Sequence, residues 1–231
     1  MNRYYAMETS ENSAEITIYG DITSWPWLES DVSSYNLSKQ IKDLDVDTIN
    51  VHISSYGGEV SEGLAIYNAL RQHKAKVKTY CDGFACSIAS VIFMAGEERE
   101  MSNASLLMIH NPWTYTEGNA QELRKKADDL DKMSQASVNA YMEHVNITEE
   151  EVRELLDAET WLTPEEALEK GFATSVTSSQ AQAKYSQSVR KQVFQKLTEP
   201  EKKPEGIAPA QSNTLMELFK GMARKEGKNE K

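Results

Sequence analysis

Residues 83–96 constrain this chain more than any other stretch. Gly83-Phe84-Ala85-Cys86-Ser87-Ile88-Ala89-Ser90 crowds small side chains around a serine, and the apolar run Val91-Ile92-Phe93-Met94-Ala95 follows and stops at Gly96. The pattern predicts a tight turn into a short buried helix, with Ser87 near its N-terminus. A helix that is apolar all round has to be surrounded by protein, so the fold must be layered about it. The first amides of a helix lack intrahelical partners, and the helix dipole favours negative charge there. A nucleophile at that position would have its developing oxyanion stabilised. Taken alone, the eight residues fit a plainer role better, a serine capping a core helix.

Strand and helix patterns alternate on both sides of this stretch. Residues 1–14 are polar and read as a mobile arm. Residues 15–20 alternate in polarity and end on Gly20, the mark of a strand and turn. Trp25-Pro26-Trp27 falls in the loop that follows, where packing under the loop is a better fit than a ligand platform. A helix is predicted over 32–44 from Leu37, Ile41 and Leu44, and a second strand over 48–53. That strand runs into Ser54-Ser55-Tyr56-Gly57-Gly58 and a helical pattern over 59–71. The paired glycines let backbone amides approach a ligand, but neither a phosphate loop nor a dinucleotide fingerprint is present. An oxyanion-binding turn and a plain tight turn both remain open. Residues 75–81 and 105–109 give two more strands, the second delivering His110 ahead of Asn111-Pro112. Residues 120–141 form a long helix with a narrow apolar stripe, the pattern of a helix that packs on a partner chain. Capping-box spacings start helices at Thr148 and Thr163, the latter stopped by Gly171, and 173–176 can add a last strand. The whole reads as an α/β layering.

Charge and composition narrow the function classes. The net charge is −11, but residues 190–231 carry ten basic against six acidic side chains, which leaves −15 on residues 1–189. That surface excludes duplex nucleic acid as a general partner. Cys81 and Cys86 form neither a zinc pattern nor a disulfide framework, so no metal is expected and a reducing, cytoplasmic setting is. The N-terminus has no leader pattern, and no apolar run approaches the roughly 20 residues of a membrane span. After about residue 177 Ser and Gln dominate, and Pro200, Pro204 and Pro209 follow. Residues 179–231 therefore read as a linker carrying a short basic amphipathic helix suited to docking on a partner protein.

Three polar residue types suit one chemistry. Serine is a weak nucleophile, so Ser87 needs a base, and His110 lies 23 residues later at a strand end. The base needs an acid to hold its tautomer, and Glu159 or Asp157 lies in a loop further on. Gly58 and the amide of Ile88 can supply an oxyanion hole. His52 sits mid-strand, and His73 and His144 sit near helix ends where solvated histidines are common. Cys86 would point about 100° away from Ser87 on a helix start and suits a small buried role.

In these segments the chain resembles the proteolytic subunits of Clp proteases, particularly the phage and prophage branch. The likeness runs from about Ile16 to Val176. Ile53-Ser54-Ser55-Tyr56-Gly57-Gly58 is similar to the family's oxyanion turn, with Tyr56 where the family usually has proline. Gly83-Phe84-Ala85-Cys86-Ser87 resembles its nucleophile segment, Met108-Ile109-His110-Asn111-Pro112 its histidine segment, and Trp161-Leu162-Thr163-Pro164 the segment after its acid. The resemblance implies Ser87 as nucleophile, His110 as base, Glu159 in place of the usual aspartate with Asp157 as a lesser alternative, and Gly58 with Ile88 as oxyanion donors. It also implies a crotonase-like spiral of β-β-α units over 15–178, with a protruding strand-helix handle over about 113–145 that assembles homo-oligomers, in stacked rings among housekeeping members.

The activity so implied is a cofactor-free serine endopeptidase acting on protein or peptide substrates. The basic tail tilts the expectation toward processing of capsid or scaffold proteins during phage head maturation. Degradation coupled to a Clp ATPase is the alternative, and the chain has no nucleotide motif of its own. A crotonase-type acyl-thioester enzyme would have no use for Ser87 with His110. An inactive structural homologue would have no use for the intact serine, histidine and acid positions.

Overall fold

The computed structural model describes residues 5–10, 12–24 and 32–177. The loop with Trp25-Pro26-Trp27 and the tail over 179–231 lie outside the described residues. In chain order the elements are β1 (Tyr5–Thr9), β2 (Ser13–Ile18), α1 (Ser34–Lys42), β3 (Thr48–Ser55), α2 (Val60–Arg71), β4 (Lys76–Cys86), α3 (Ile88–Phe93), β5 (Glu98–Ser102), β6 (Leu106–Ile109), α4 (Ala120–Met142), α5 (Glu149–Asp157), β7 (Thr160–Leu162), α6 (Pro164–Glu169) and β8 (Ser175–Thr177). They form one mixed sheet with the helices, an α/β fold.

The main path of the sheet is β1-β2-β3-β4-β5-β8, and β6 joins it beside β4 with β7 beyond. Strands β2 to β5 run parallel, whereas β1 and β7 pair antiparallel with β2 and β6. Strict alternation fixes which face is buried. Ala14, Ile16 and Ile18, then Ile49, Val51 and Ile53, point into the core, while Glu15, Asn50 and His52 occupy the alternate, half-buried positions. A one-residue slip would expose all of the first set. Helix α3 is the centre of the core: Ile88 through Phe93 are all buried.

Three expectations change. The polar arm over 1–14 is in part a strand, since Tyr5–Thr9 pairs with Ala14 through Ile18 and Met7 packs on the core. The turn expected at Gly83 is strand: β4 continues to Cys86. Its first half pairs with β5 through Lys78–Cys81, and its second half with β6 through Phe84–Cys86. Strand β5 is the third, because one of the two alternating residues it turns inward, Arg99 and Met101, is charged. Arg99 is 4% exposed, and its guanidinium donates to the carbonyls of Phe172, Gly96 and Gly171 at 2.8, 2.8 and 3.2 Å. Carbonyl acceptors satisfy its donors, so the buried charge is tolerated.

The long helix α4 is buried only in its second half, at Ser134, Ser137, Val138, Ala140 and Tyr141. Its first turns, over residues 120–125, are exposed. A capping box closes that exposed end: Asn119 accepts from the amides of Gln121 and Glu122, and the Glu122 carboxylate accepts from the Asn119 amide.

Candidate active site

Strand β4 delivers Ser87 to the sheet edge where its neighbours change. The Ser87 amide donates to Met108 O at 2.8 Å, continuing the ladder with β6 for one residue. The chain then turns into α3 with Ser87 at φ 55° and ψ −129°. That conformation belongs to the first central residue of a type II′ turn, a position glycine normally takes. A side chain held there costs about 1–3 kcal/mol, and such strain persists where surrounding contacts impose it.

The paired glycines form the opposite wall. Gly57 and Gly58 have φ 99° and 146°. A Cβ on Gly57 would lie 2.8 Å from Ser87 Cβ and 3.2 Å from Ile88 N. A Cβ on Gly58 would lie 2.0 Å from Ile22 O. Ile22 straddles Gly58, donating to Gly57 O at 2.9 Å and accepting from Glu59 N at 2.8 Å. In such a parallel bridge the amide of the middle residue faces away from the partner strand, so Gly58 N–H is directed away from Ile22. The Ile88 amide, first in α3, has no carbonyl one turn earlier to bond. The Ser55 hydroxyl braces this turn by accepting from Gly57 N at 3.1 Å and donating to Gly20 O at 2.6 Å.

His110 Nε2 stands 2.8 Å from Ser87 Oγ. Burial pushes the His110 pKa below its usual value, and the charge of Glu159 opposes that push. That shift favours the neutral ring, the form able to accept the serine proton. Glu159 reaches this neighbourhood through strand register. Ile109 pairs with Thr160 across β6 and β7, so one further antiparallel step sets Glu159 opposite His110. It follows the C-cap of α5 with φ 48°, an uncommon conformation for a glutamate. Among the described residues no hydrogen bond joins its exposed carboxylate to His110.

Asp157 is committed elsewhere. It accepts from Asn111 Nδ2 at 2.6 Å, and Asn111 Oδ1 accepts in turn from Ser134 of α4. Asn111 was not singled out in the sequence, although it adjoins His110. It ties the histidine loop to both α4 and α5.

Ser87 and His110 open onto a cleft of about 760 Å³ lined also by Gly57, Gly58, Tyr56, Trp113 and, from α4, Leu130 and Met133. Cys86 is buried, and burial pushes its thiol up to about 12, so it is no rival nucleophile. His73 is structural: its ring bonds Leu44 O at 3.2 Å and accepts from Ala75 N at 3.0 Å. His52 lies on the sheet's polar face, 2.8 Å from Asp82. Among the described residues no three His, Cys, Asp or Glu side chains are grouped to hold a metal ion, and no helix is long and apolar enough to cross a membrane.

The fold and cleft define an α/β protein with a hydrogen-bonded serine–histidine pair beside a paired-glycine turn and a helix start. A family model described as Clp protease matches residues 31–180. That is well over half of the chain, which therefore belongs to the Clp protease family. The ATP-dependent Clp protease proteolytic subunit of Deinococcus radiodurans is 35% identical over 130 residues, covering 55% of this chain and 64% of that protein. The chain thus spans less than two thirds of that relative. Neither match separates a phage branch from the family at large.

Proposed function

We propose that this chain is a serine endopeptidase working through an acyl-enzyme. Ser87 Oγ attacks the scissile carbonyl while His110 Nε2 takes its proton. The tetrahedral oxyanion is received by the amides of Gly58 and Ile88. The Glu159 carboxylate, close to the ring but not bonded to it, stabilises the imidazolium by charge. His110 then returns the proton to the leaving amine, and a water deprotonated by the same nitrogen releases the acyl group. The supporting observation is the 2.8 Å pairing of His110 Nε2 with Ser87 Oγ at the start of a helix and inside a cleft. A fluorophosphonate probe should label wild-type protein and fail on Ser87→Ala. Unlabelled wild type under assembling conditions would instead favour an inactive structural homologue.

Unfoldase-coupled degradation is the better supported of the two physiological settings. The family relative is named as part of an ATP-dependent Clp protease. The case for head maturation rested on the tail over 179–231, which is outside the described residues. In our reading the chain assembles as a homo-oligomer through a strand-helix handle, the mark of the crotonase-like spiral. Exposed apolar side chains on and near α4 support it: Leu123 is 43% and Met133 41% exposed, and Trp113, close by in the chain, is 64% exposed. Those apolar side chains have a natural cover in a second copy. Addition of an ATPase partner and ATP should then extend activity from short peptides to folded proteins. A chain that processes folded substrate without ATP would return the choice to head maturation.

A further inference from the structure

Behind Ser87, a two-hydroxyl relay ends on its carbonyl oxygen. Ser90 Oγ donates to Ser87 O at 2.5 Å, and the Ser90 amide donates to the same oxygen at 3.0 Å. Ser90 Oγ also lies 2.8 Å from the hydroxyl of Tyr141. A serine hydroxyl has one proton. Since that proton goes to Ser87 O, Tyr141 must be the donor in the second bond. The order is therefore Tyr141 O–H to Ser90 Oγ–H to Ser87 C=O. Ser90 is 0% exposed and Tyr141 1%, so no solvent competes for either bond. The Tyr141 ring is itself braced edge-on against Phe172 at 5.7 Å.

The oxygen at the end of this relay is not the one that reacts. It belongs to the peptide unit joining Ser87 to Ile88. That unit is planar, with the carbonyl and the Ile88 N–H on opposite sides of one rigid plate. Fixing the oxygen therefore fixes the direction of the N–H. Hydrogen bonds accepted by the carbonyl also polarise the unit and strengthen its N–H as a donor. The plate needs such an anchor, because Ser87 ψ at −129° is a torsion that a non-glycine residue does not hold unaided.

We propose that Ser90 and Tyr141 are positioning residues that aim the Ile88 amide at the oxyanion. This assignment rests on the serine-peptidase proposal above and gives α4, the helix with the exposed first half, a direct line to the reacting centre. Tyr141 sits near the buried end of that helix, so its placement is felt at Ile88 through two hydrogen bonds.

The test is a double-mutant cycle in the full chain with Tyr141→Phe, Ser90→Ala and the pair, assayed on a fluorogenic peptide. Removing an oxyanion donor outright lowers kcat by about 10²–10³. A donor that is present but poorly aimed loses less, so Ser90→Ala should lower kcat roughly ten- to thirty-fold and Tyr141→Phe roughly three- to tenfold, with KM unchanged. The double variant should be no worse than Ser90→Ala, because the two act in series. Tyr141→Phe keeps the ring and its packing, which guards against a folding failure, and melting temperatures are recorded alongside. Wild-type kcat in Tyr141→Phe and Ser90→Ala, a change in KM alone, or losses that multiply in the double variant would each overturn the relay. A wild-type protein without Ser87-dependent hydrolysis would instead overturn the peptidase proposal beneath it.

Discussion

Gly57→Ala probes the site without replacing any group assigned a chemical role. The new Cβ would meet Cys86 O and Ser87 Cβ at 2.8 Å and Ile88 N at 3.2 Å. Ordinary carbon contacts lie at about 3.5–4.0 Å, so relief requires a movement of roughly 1 Å. All three atoms belong to the backbone or Cβ of the nucleophile turn, and none can swing aside as a flexible side-chain tip could. The φ of 99° adds strain for any L side chain. Positive-φ strain of about 1–3 kcal/mol and overpacking of about 1–3 kcal/mol give a destabilisation of roughly 2–6 kcal/mol. For a folded unit of this size that lowers Tm by roughly 4–24 °C. A misplacement of about 1 Å at the reacting atoms lowers kcat by roughly a hundredfold. Peptide hydrolysis, labelling rate with a fluorophosphonate and thermal melting, measured together, separate the two effects. Gly96→Ala is the matched control: its Cβ would meet Thr79 Oγ1 at 2.4 Å and Glu98 O at 2.7 Å, away from the cleft, and should lower Tm while leaving kcat within about threefold. A Gly57→Ala protein with a lowered Tm and wild-type kcat would refute the view that this glycine holds the nucleophile turn in register.

Other outcomes follow from the electrostatics. The acid limb of kcat/KM should fall below the usual histidine pKa, because burial disfavours the His110 imidazolium. Glu159→Gln removes the charge that favours that cation, so the limb should move to still lower pH as kcat drops, while Asp157→Asn leaves the limb in place; the reverse pattern would reassign the acid. At His52, burial lowers the pKa, but the bond and charge of Asp82 with the charge of Glu15 outweigh it and the net shift is upward. A raised folded-state pKa means stabilisation present below about 6.5 and lost as pH rises through the folded value. His52→Gln should therefore lower Tm more at pH 5.5 than at pH 8.5, and equal losses at both would contradict this. Native protein should resist thiol alkylation at Cys86, since burial holds that thiol at about 12; rapid modification would show that the turn opens in solution.

Local chemistry was legible in the sequence and long-range register was not. The alternation through β2 and β3, the apolar run of β6 and the capping boxes of α5 and α6 mark those elements within a residue or two. Strand β5 hid because Arg99 takes one of its two alternating inward positions, which leaves Met101 alone to signal it. Strand β7 is three residues long and is defined by its partner β6 rather than by its own composition. The same division runs through the site. Ser87 and His110 are recognisable from their flanking residues, but their 2.8 Å approach depends on β4 and β6 pairing. The choice between Glu159 and Asp157 depends on β6 and β7 register, which no local pattern encodes. Ser90 and Tyr141 lie 51 residues apart in sequence, and their bond crosses from α3 to α4.

The torsions of Ser87 also have a consequence for how this chain would respond to selection. At φ 55° and ψ −129°, glycine is the relaxed occupant, so a library screened only for heat resistance should enrich Ser87→Gly and discard hydrolysis with it. A library screened for turnover should keep the serine and recover its deficit at distant positions. The residue at 87 is thus a built-in discriminator between the two pressures, and sequencing survivors of each screen would show whether they part at this position.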